Sequence, residues 1–235
     1  MTTKIKAIEI LKDLGAKPSV SEERGLALLR DTDYVVLSPG ISTAGFAEIR
    51  MAKAQPLRKI IATTIDEIGL EFAKQVIEEV GLSNQIETRY EDIRDGIYAP
   101  DSLDFIYARL VLHYLSAQDL DNVLARFTTF LKPGGRLFIV VRSEKNIDRN
   151  NVHTQYDPKT KLTTQPHYGV NGVIESTSVR YFHTPESILE HIARAKLHVE
   201  SLSEYQELLY KDFMRMDVSS VKDHVIEVVV SKKSD

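Results

Sequence analysis

Three histidines, His153, His167 and His183, fall within or beside a polar stretch, 143–182, that also holds Tyr156, Tyr168 and Tyr181. Histidine is the side chain best poised to take a proton near neutral pH, so these are the candidate general bases. His167 comes first, because His167-Tyr168-Gly169 sets a base beside an aromatic wall and a flexible hinge. Turn signals at Asn150-Asn151, Asp157-Pro158, Gln165-Pro166 and Gly172 make the stretch read as one long loop. A loop of that length in a compact domain is usually functional, and a cap over a substrate pocket is expected. In the first half, Ser38-Pro-Gly-Ile-Ser-Thr-Ala-Gly45 follows the apolar run Tyr34–Leu37 and leads into a helix ending near Ala54. A strand, a small-residue turn and a helix is where open α/β sheets bind nucleotides. Small side chains let a ligand lie against backbone. The turn is not G-x-G-x-x-G, which argues against a nicotinamide dinucleotide. Arg109 ends another apolar run, where its guanidinium can pair with a carboxylate of cofactor or substrate, or form a surface ion pair. No histidine pair has metal-ligand spacing with a third ligand nearby and cysteine is absent, so no metal site is expected.

The elements that would position these groups read as alternating strands and helices. Strands are expected over 34–37, 59–63, 86–90, 103–108, 137–141, 197–205 and 224–231. Helices fall between them, with Ser116 and Thr184 as N-caps and Pro185 at a first helical position. Asp66 stands where it caps the helix carrying Leu70, Ala73, Val76 and Ile77. The 103–142 block is strand, helix, Lys132-Pro-Gly-Gly135 stop and strand, a parallel unit buried on both faces. Two amphipathic helices, 3–14 and 21–30, form an N-terminal extension, 1–31, that covers the site or simply packs on the sheet. A single domain spanning 1–235 is expected, with that extension and the 143–182 insertion.

The chain resembles the class I S-adenosylmethionine (SAM)-dependent methyltransferases. Ser102-Leu-Asp-Phe-Ile106, Val111-Leu-His-Tyr-Leu115 and Leu131-Lys-Pro-Gly-Gly135 match that family's SFDLV, VLHHL and LKPGG segments in order. The likeness is firm over 33–142 and looser to 231. It implies a three-layer Rossmann-like α/β fold, with a seven-stranded, mostly parallel sheet and an antiparallel last strand. It also implies SAM as cofactor, held in a crevice of Ser38, Pro39, Gly40, Ser42 and Ala44, Thr64, Ile65 and Asp66, Asp92 and Ile93, and Ala108, Arg109 and Leu110. Against the family's VLDLGCGTG, only Gly40 keeps a glycine; Ser42 and Ala44 replace the other two, and Ser38 replaces the acid. Thr64 takes the place of the acid that grips the ribose, with Asp66 two residues on as cap or ribose ligand. Asp92 takes the place of the acid that meets the adenine amino group. His113 is read as packing or local hydrogen bonding. The implied activity is methyl transfer to a small molecule. The alternative is a methyltransferase-like protein that no longer methylates and serves as a binding subunit or catalyses another reaction.

Composition sets outer bounds. A chain of 235 residues with 43% hydrophobic and 27% charged residues buries a sizeable core. A formal net charge of −4 argues against a general nucleic-acid or anionic-membrane binder. No apolar run is long enough to span a bilayer and the first residues lack a signal-peptide core, so a cytoplasmic protein is expected. A homodimer stays open.

Overall fold

The computed structural model describes residues 17–41, 43–168, 172–210 and 219–234. The expected helix over 3–14, Ser42 and the Gly169 hinge fall outside them. A seven-stranded sheet is built from β1 (Val35–Pro39), β2 (Lys59–Thr64), β3 (Ile86–Tyr90), β4 (Leu103–Arg109), β5 (Leu131–Arg142), β9 (His198–Glu207) and β10 (Asp223–Ser231). Its order is β3-β2-β1-β4-β5-β10-β9. Pairings from β3 across to β5 are parallel, and β10 runs antiparallel to both neighbours. The strand order reverses between β1 and β4, which opens a crevice at their carboxyl ends.

Strand side chains alternate between faces, and each face has its own helices. Phe105, Tyr107, Phe138 and Val140 point to the layer of α1 (Val20–Ala27), α2 (Phe46–Ala54) and α3 (Glu67–Glu79). Ile106, Ala108, Leu137 and Ile139 point to the layer of α4 (Ala117–Phe130) and α5 (Pro185–Arg194). Local capping chemistry starts these helices. Ser116 accepts from the Asp119 N–H, Asp66 accepts from the Gly69 N–H, and Thr184 with Ser187 closes a full capping box behind Pro185. The Lys132-Pro-Gly-Gly135 segment ends α4 as expected but is already part of β5. A Cβ at Gly135 would lie 2.8 Å from the Lys132 carbonyl oxygen, so only glycine allows that approach.

The α1 helix docks through Gly25, where a Cβ would come within 2.5–2.6 Å of the stacked Phe138 and Tyr107 rings. Its start is tied to the last strands. The buried Glu207 carboxylate accepts from both the backbone N–H and the hydroxyl of Ser21, at 2.9 and 2.6 Å. Arg24 pairs with Glu227 at 2.7 Å, and Glu22 with Arg50 of α2 at 2.6 Å.

The 143–182 stretch differs from the expected long loop. Within it, β6 (Gln155–Tyr156), β7 (Thr163–Tyr168) and β8 (Ile174–Arg180) form a separate antiparallel sheet. Most of their side chains are exposed or half-buried, so apolar alternation is missing and the turn residues dominate the sequence signal. Residues flanking its strands tie it to the main body: the Tyr181 N–H donates to the His113 carbonyl at 2.7 Å and the Ala117 N–H to the Thr160 carbonyl at 3.0 Å. No helix among the described residues is long and apolar enough to cross a membrane.

Candidate functional site

The turn after β1 is pinned from both sides. The N–H groups of Gly40 and Ile41 both donate to the Thr63 carbonyl of β2, at 2.7 and 2.8 Å. Gly40 is left-handed (φ +72°), and a Cβ there would lie 2.9 Å from a Val111 methyl. Ala44 (φ 53°) and Leu110 (φ 55°) are also left-handed, an uncommon state for residues with a Cβ that concentrates at functional sites. Gly45 (φ 71°) supplies the glycine that opens α2, one position beyond the expected one.

These turns border a cleft of about 530 Å³ at the carboxyl ends of β1 to β4. Its walls are apolar: Ile41, Ile65, Ile93, Leu110, Val111 and Leu115. Ile65 is 62% exposed, an apolar side chain kept at the surface of the cleft. Its rim is rich in acceptors: Thr64, Asp66, Glu91, Asp92 and Asp119, against one cation, Arg94. Apolar walls suit a purine ring, while carboxylates accept from ribose hydroxyls and an amino group and favour a cationic ligand. The set fits SAM, whose sulfonium and ammonium outweigh its one carboxylate. A second pocket of about 270 Å³ adjoins across Gly40, Ile41, Leu110 and Tyr114 and is lined further by Arg109, His113 and Arg142.

Gly40, Thr64, Ile65, Asp66, Asp92, Ile93 and Leu110 therefore line the larger cleft. Ser38, Pro39, Ala44 and Ala108 are buried and do not line it. The Ser38 hydroxyl donates to the buried Glu48 carboxylate of α2 at 2.6 Å. Asp66 both caps α3 and faces the cleft. Asp92 is less free than expected, because Arg94 donates to both of its oxygens, at 3.0 and 2.6 Å, and holds its carboxyl below the usual range. Glu91 is the acid the sequence reading missed. It sits in the same rim, with one oxygen taken by the Tyr98 hydroxyl.

Arg109 requires a correction. It lines the second pocket, but its guanidinium turns toward α1, donating to the Ser21 and Ser19 hydroxyls at 2.6 and 2.5 Å with Glu207 at 3.9 Å. The histidines require another. His183 is fully buried and stacks on Tyr181 with centroids 3.9 Å apart; burial pushes its pKa down to about 3. It is a neutral packing residue and no base. His153 lies on an exposed turn. His167 is exposed and lines a separate groove with Arg142, Arg180, Lys222 and His224, outside both pockets described above. The histidine that does wall the second pocket is His113. It is 1% exposed, and neither ring nitrogen has a hydrogen-bond partner. The ring packs, as one of the two sequence readings had it, and makes no local hydrogen bond.

Residues 37–139 match the family model for a methyltransferase domain. The matched residues build β1 to β5 and border the cleft. Over them the chain is similar to a methyltransferase domain, and its strand order is that of a Rossmann-like sheet. No curated protein matches it in sequence. Among solved structures, a SAM-dependent methyltransferase from Methanosarcina mazei superposes with a TM-score of 0.69 at 14% identity, over 89% of this chain and 96% of the other. A geranyl diphosphate methyltransferase in complex with SAM gives a TM-score of 0.63 at 14% identity, covering 90% and 84%. The cyclase SpnF gives 0.62 at 14% identity, covering 91% and 82%. At these identities the likeness is one of fold. The chain keeps the sheet of these structures while its turn after β1 departs from a glycine-rich pattern.

Proposed function

We propose that this methyltransferase binds SAM in the 530 Å³ cleft and methylates a small molecule seated in the adjoining 270 Å³ pocket. The observation that carries the reading is the continuity of an acid-rimmed, apolar cleft with a second, differently lined pocket across Gly40 and Leu110. Geranyl diphosphate, the small molecule in the name of one structural neighbour, supports an acceptor of that size. SAM supplies an electrophilic methyl group, and the acceptor's nucleophilic atom takes it by in-line displacement. The chain's part is mostly positioning. Asp66 and Glu91 accept from the ribose hydroxyls, and Ile65 and Ile93 flank the base. The Gly40 and Leu110 turns, fixed to Thr63 and to the Val140 carbonyl at 2.8 Å, hold the reacting ends in line. In this reading the 143–182 stretch, tied beside the pocket through the Tyr181 N–H on the His113 carbonyl, serves as a cap.

The test is a survey of small-molecule acceptors with methyl-labelled SAM, scored by S-adenosylhomocysteine (SAH) release and by label in the acceptor. Acceptor-dependent release of both is expected. Binding of SAM with no transfer to any acceptor, together with conversion of a substrate by another route, would favour the alternative that the SpnF-like fold has been turned to a different reaction.

A further inference from the structure

The groove that holds His167 differs from both pockets. It encloses about 440 Å³ between the β7–β8 sheet and the ends of β5 and β10. Its frame is tied together by one side chain. Asn146 accepts from the His224 N–H at 2.8 Å and donates to the His224 and Ser143 carbonyls at 2.6 and 2.8 Å. Gln165 of β7 donates to the Asn146 carbonyl at 3.4 Å, which joins the small sheet to the same point.

The charge of this lining is one-sided. Arg142, Lys145, Arg180 and Lys222 stand against a single carboxylate, Asp223, in a chain whose formal net charge is −4. Asp223 pairs with Arg142, and Lys145 pairs with Glu204 at 2.5 Å. Arg180 and Lys222 have neither a hydrogen bond nor an ion pair among the described residues. The half-buried Arg180 guanidinium rests on the Tyr114 ring, 5.5 Å from its centroid, and its buried Nε has no partner. Its charge also works against the charged form of Arg142. Two positive charges are thus left without a counter-charge in one groove, where like charges are unfavourable until an anion joins them. A monocarboxylate would neutralise one of the two, whereas a phosphate dianion matches both. Guanidinium and ammonium are the side chains that bind phosphate, one as a planar fork and the other as a point charge.

We infer that this groove is a phosphate-binding site, in which Arg180 and Lys222 hold the dianion and His167 stands at its edge. No residue of the groove lines the acid-rimmed cleft, so the inference does not depend on SAM binding. The phosphate has two possible sources. It is a small ligand in its own right, or the end of a longer molecule that continues past Arg142, which lines both this groove and the second pocket.

Calorimetry at pH 7.5 and fixed ionic strength, with inorganic phosphate, hexyl phosphate and hexanoate as probes, tests the site. Both phosphates should saturate one site, and hexanoate should bind at least about 10-fold more weakly. Tighter binding of hexyl phosphate assigns the site to a molecule reaching into the second pocket, and equal binding to a small phosphate ligand; either result supports a phosphate site. Lys222 is exposed and unpaired, so Lys222→Gln should melt like wild type. It should weaken phosphate by about 10-fold or more, the scale of a hydrogen bond to a charged group, and leave SAH affinity unchanged. Arg180→Gln should weaken phosphate at least as much, and Arg180→Lys should recover part of the loss. Lys53→Gln makes the same charge change at an exposed position of α2 outside the groove and should leave phosphate affinity as it is. Absence of saturable phosphate binding, hexanoate binding as tightly as phosphate, or affinity indifferent to both Lys222→Gln and Arg180→Gln overturns the inference. An equal loss in Lys53→Gln would show attraction to the whole surface and overturn it too. SAH titrations on the same proteins report on the cofactor cleft separately, so either reading can fail while the other stands.

Discussion

Gly40→Val is expected to weaken SAH binding by about 100-fold or more, equivalent to about 2.7 kcal/mol. The left-handed backbone at Gly40 (φ +72°) costs an L-residue about 1–2 kcal/mol. The added Cβ also meets Val111 side-chain atoms at 2.9 and 3.0 Å, and overpacking of this kind typically costs about 1–3 kcal/mol more. The chain relieves both only by moving the turn. That turn borders both pockets and is pinned to Thr63 through two N–H groups, so the cofactor site moves with it. Gly81→Val is the control. Gly81 has the same backbone (φ +73°) with nothing within 4 Å of a Cβ, and it lines neither pocket. It should lower the melting temperature and leave SAH affinity unchanged. Equal affinities for wild type and Gly40→Val would show that this turn does not shape the cofactor site.

Acid should destabilise the fold well before the carboxylates titrate. Burial pushes His183 down to about 3 and His113 well below its ordinary value of 6.5. Unfolded, both take a proton near pH 6.5; folded, they do not. The unfolded state therefore binds more protons over the interval between, and stability falls as pH drops from about 6.5 toward 3. Each of the two buried rings contributes a slope of about 1.4 kcal/mol per pH unit. Glu87, Asp92 and Glu204, held below their ordinary values by Arg89, Arg94 and Lys145, lose their contribution only at lower pH. Urea unfolding at pH 7.5, 6 and 5 measures the slope. His183→Gln, whose side chain can still bond Ser187, should flatten it by one proton and leave SAH affinity unchanged. An unchanged slope in that variant would mean that His183 takes up its proton in the folded state.

Much of this fold was legible because its signals are local. The apolar runs at 34–37, 59–63, 86–90 and 103–108 became β1 to β4 within two residues of their expected ends. Ser116, Thr184 and Asp66 cap as their chemistry implies. Gly40, Thr64 and Leu110, read from strand ends, do line one cleft. The site was illegible where partners are remote. Arg109 is claimed by Ser19 and Ser21, 90 and 88 residues away. His183 is buried by its bridge to Ser143 on β5's exit. Asp92 lines the cleft, but its pairing with Arg94 was not legible: the turn that swings Arg94 back over it, with the Asp92 carbonyl accepting from the Asp95 and Gly96 N–H groups, leaves no signature in residue types.

The central claim is that the acid-rimmed cleft holds SAM, and calorimetric titration of SAH into the chain tests it most directly. The account predicts saturable one-to-one binding. It also predicts a loss of about 10-fold in Asp66→Ser, which keeps the α3 cap but removes the carboxylate. Absence of heat with both SAH and SAM up to millimolar concentration would contradict it.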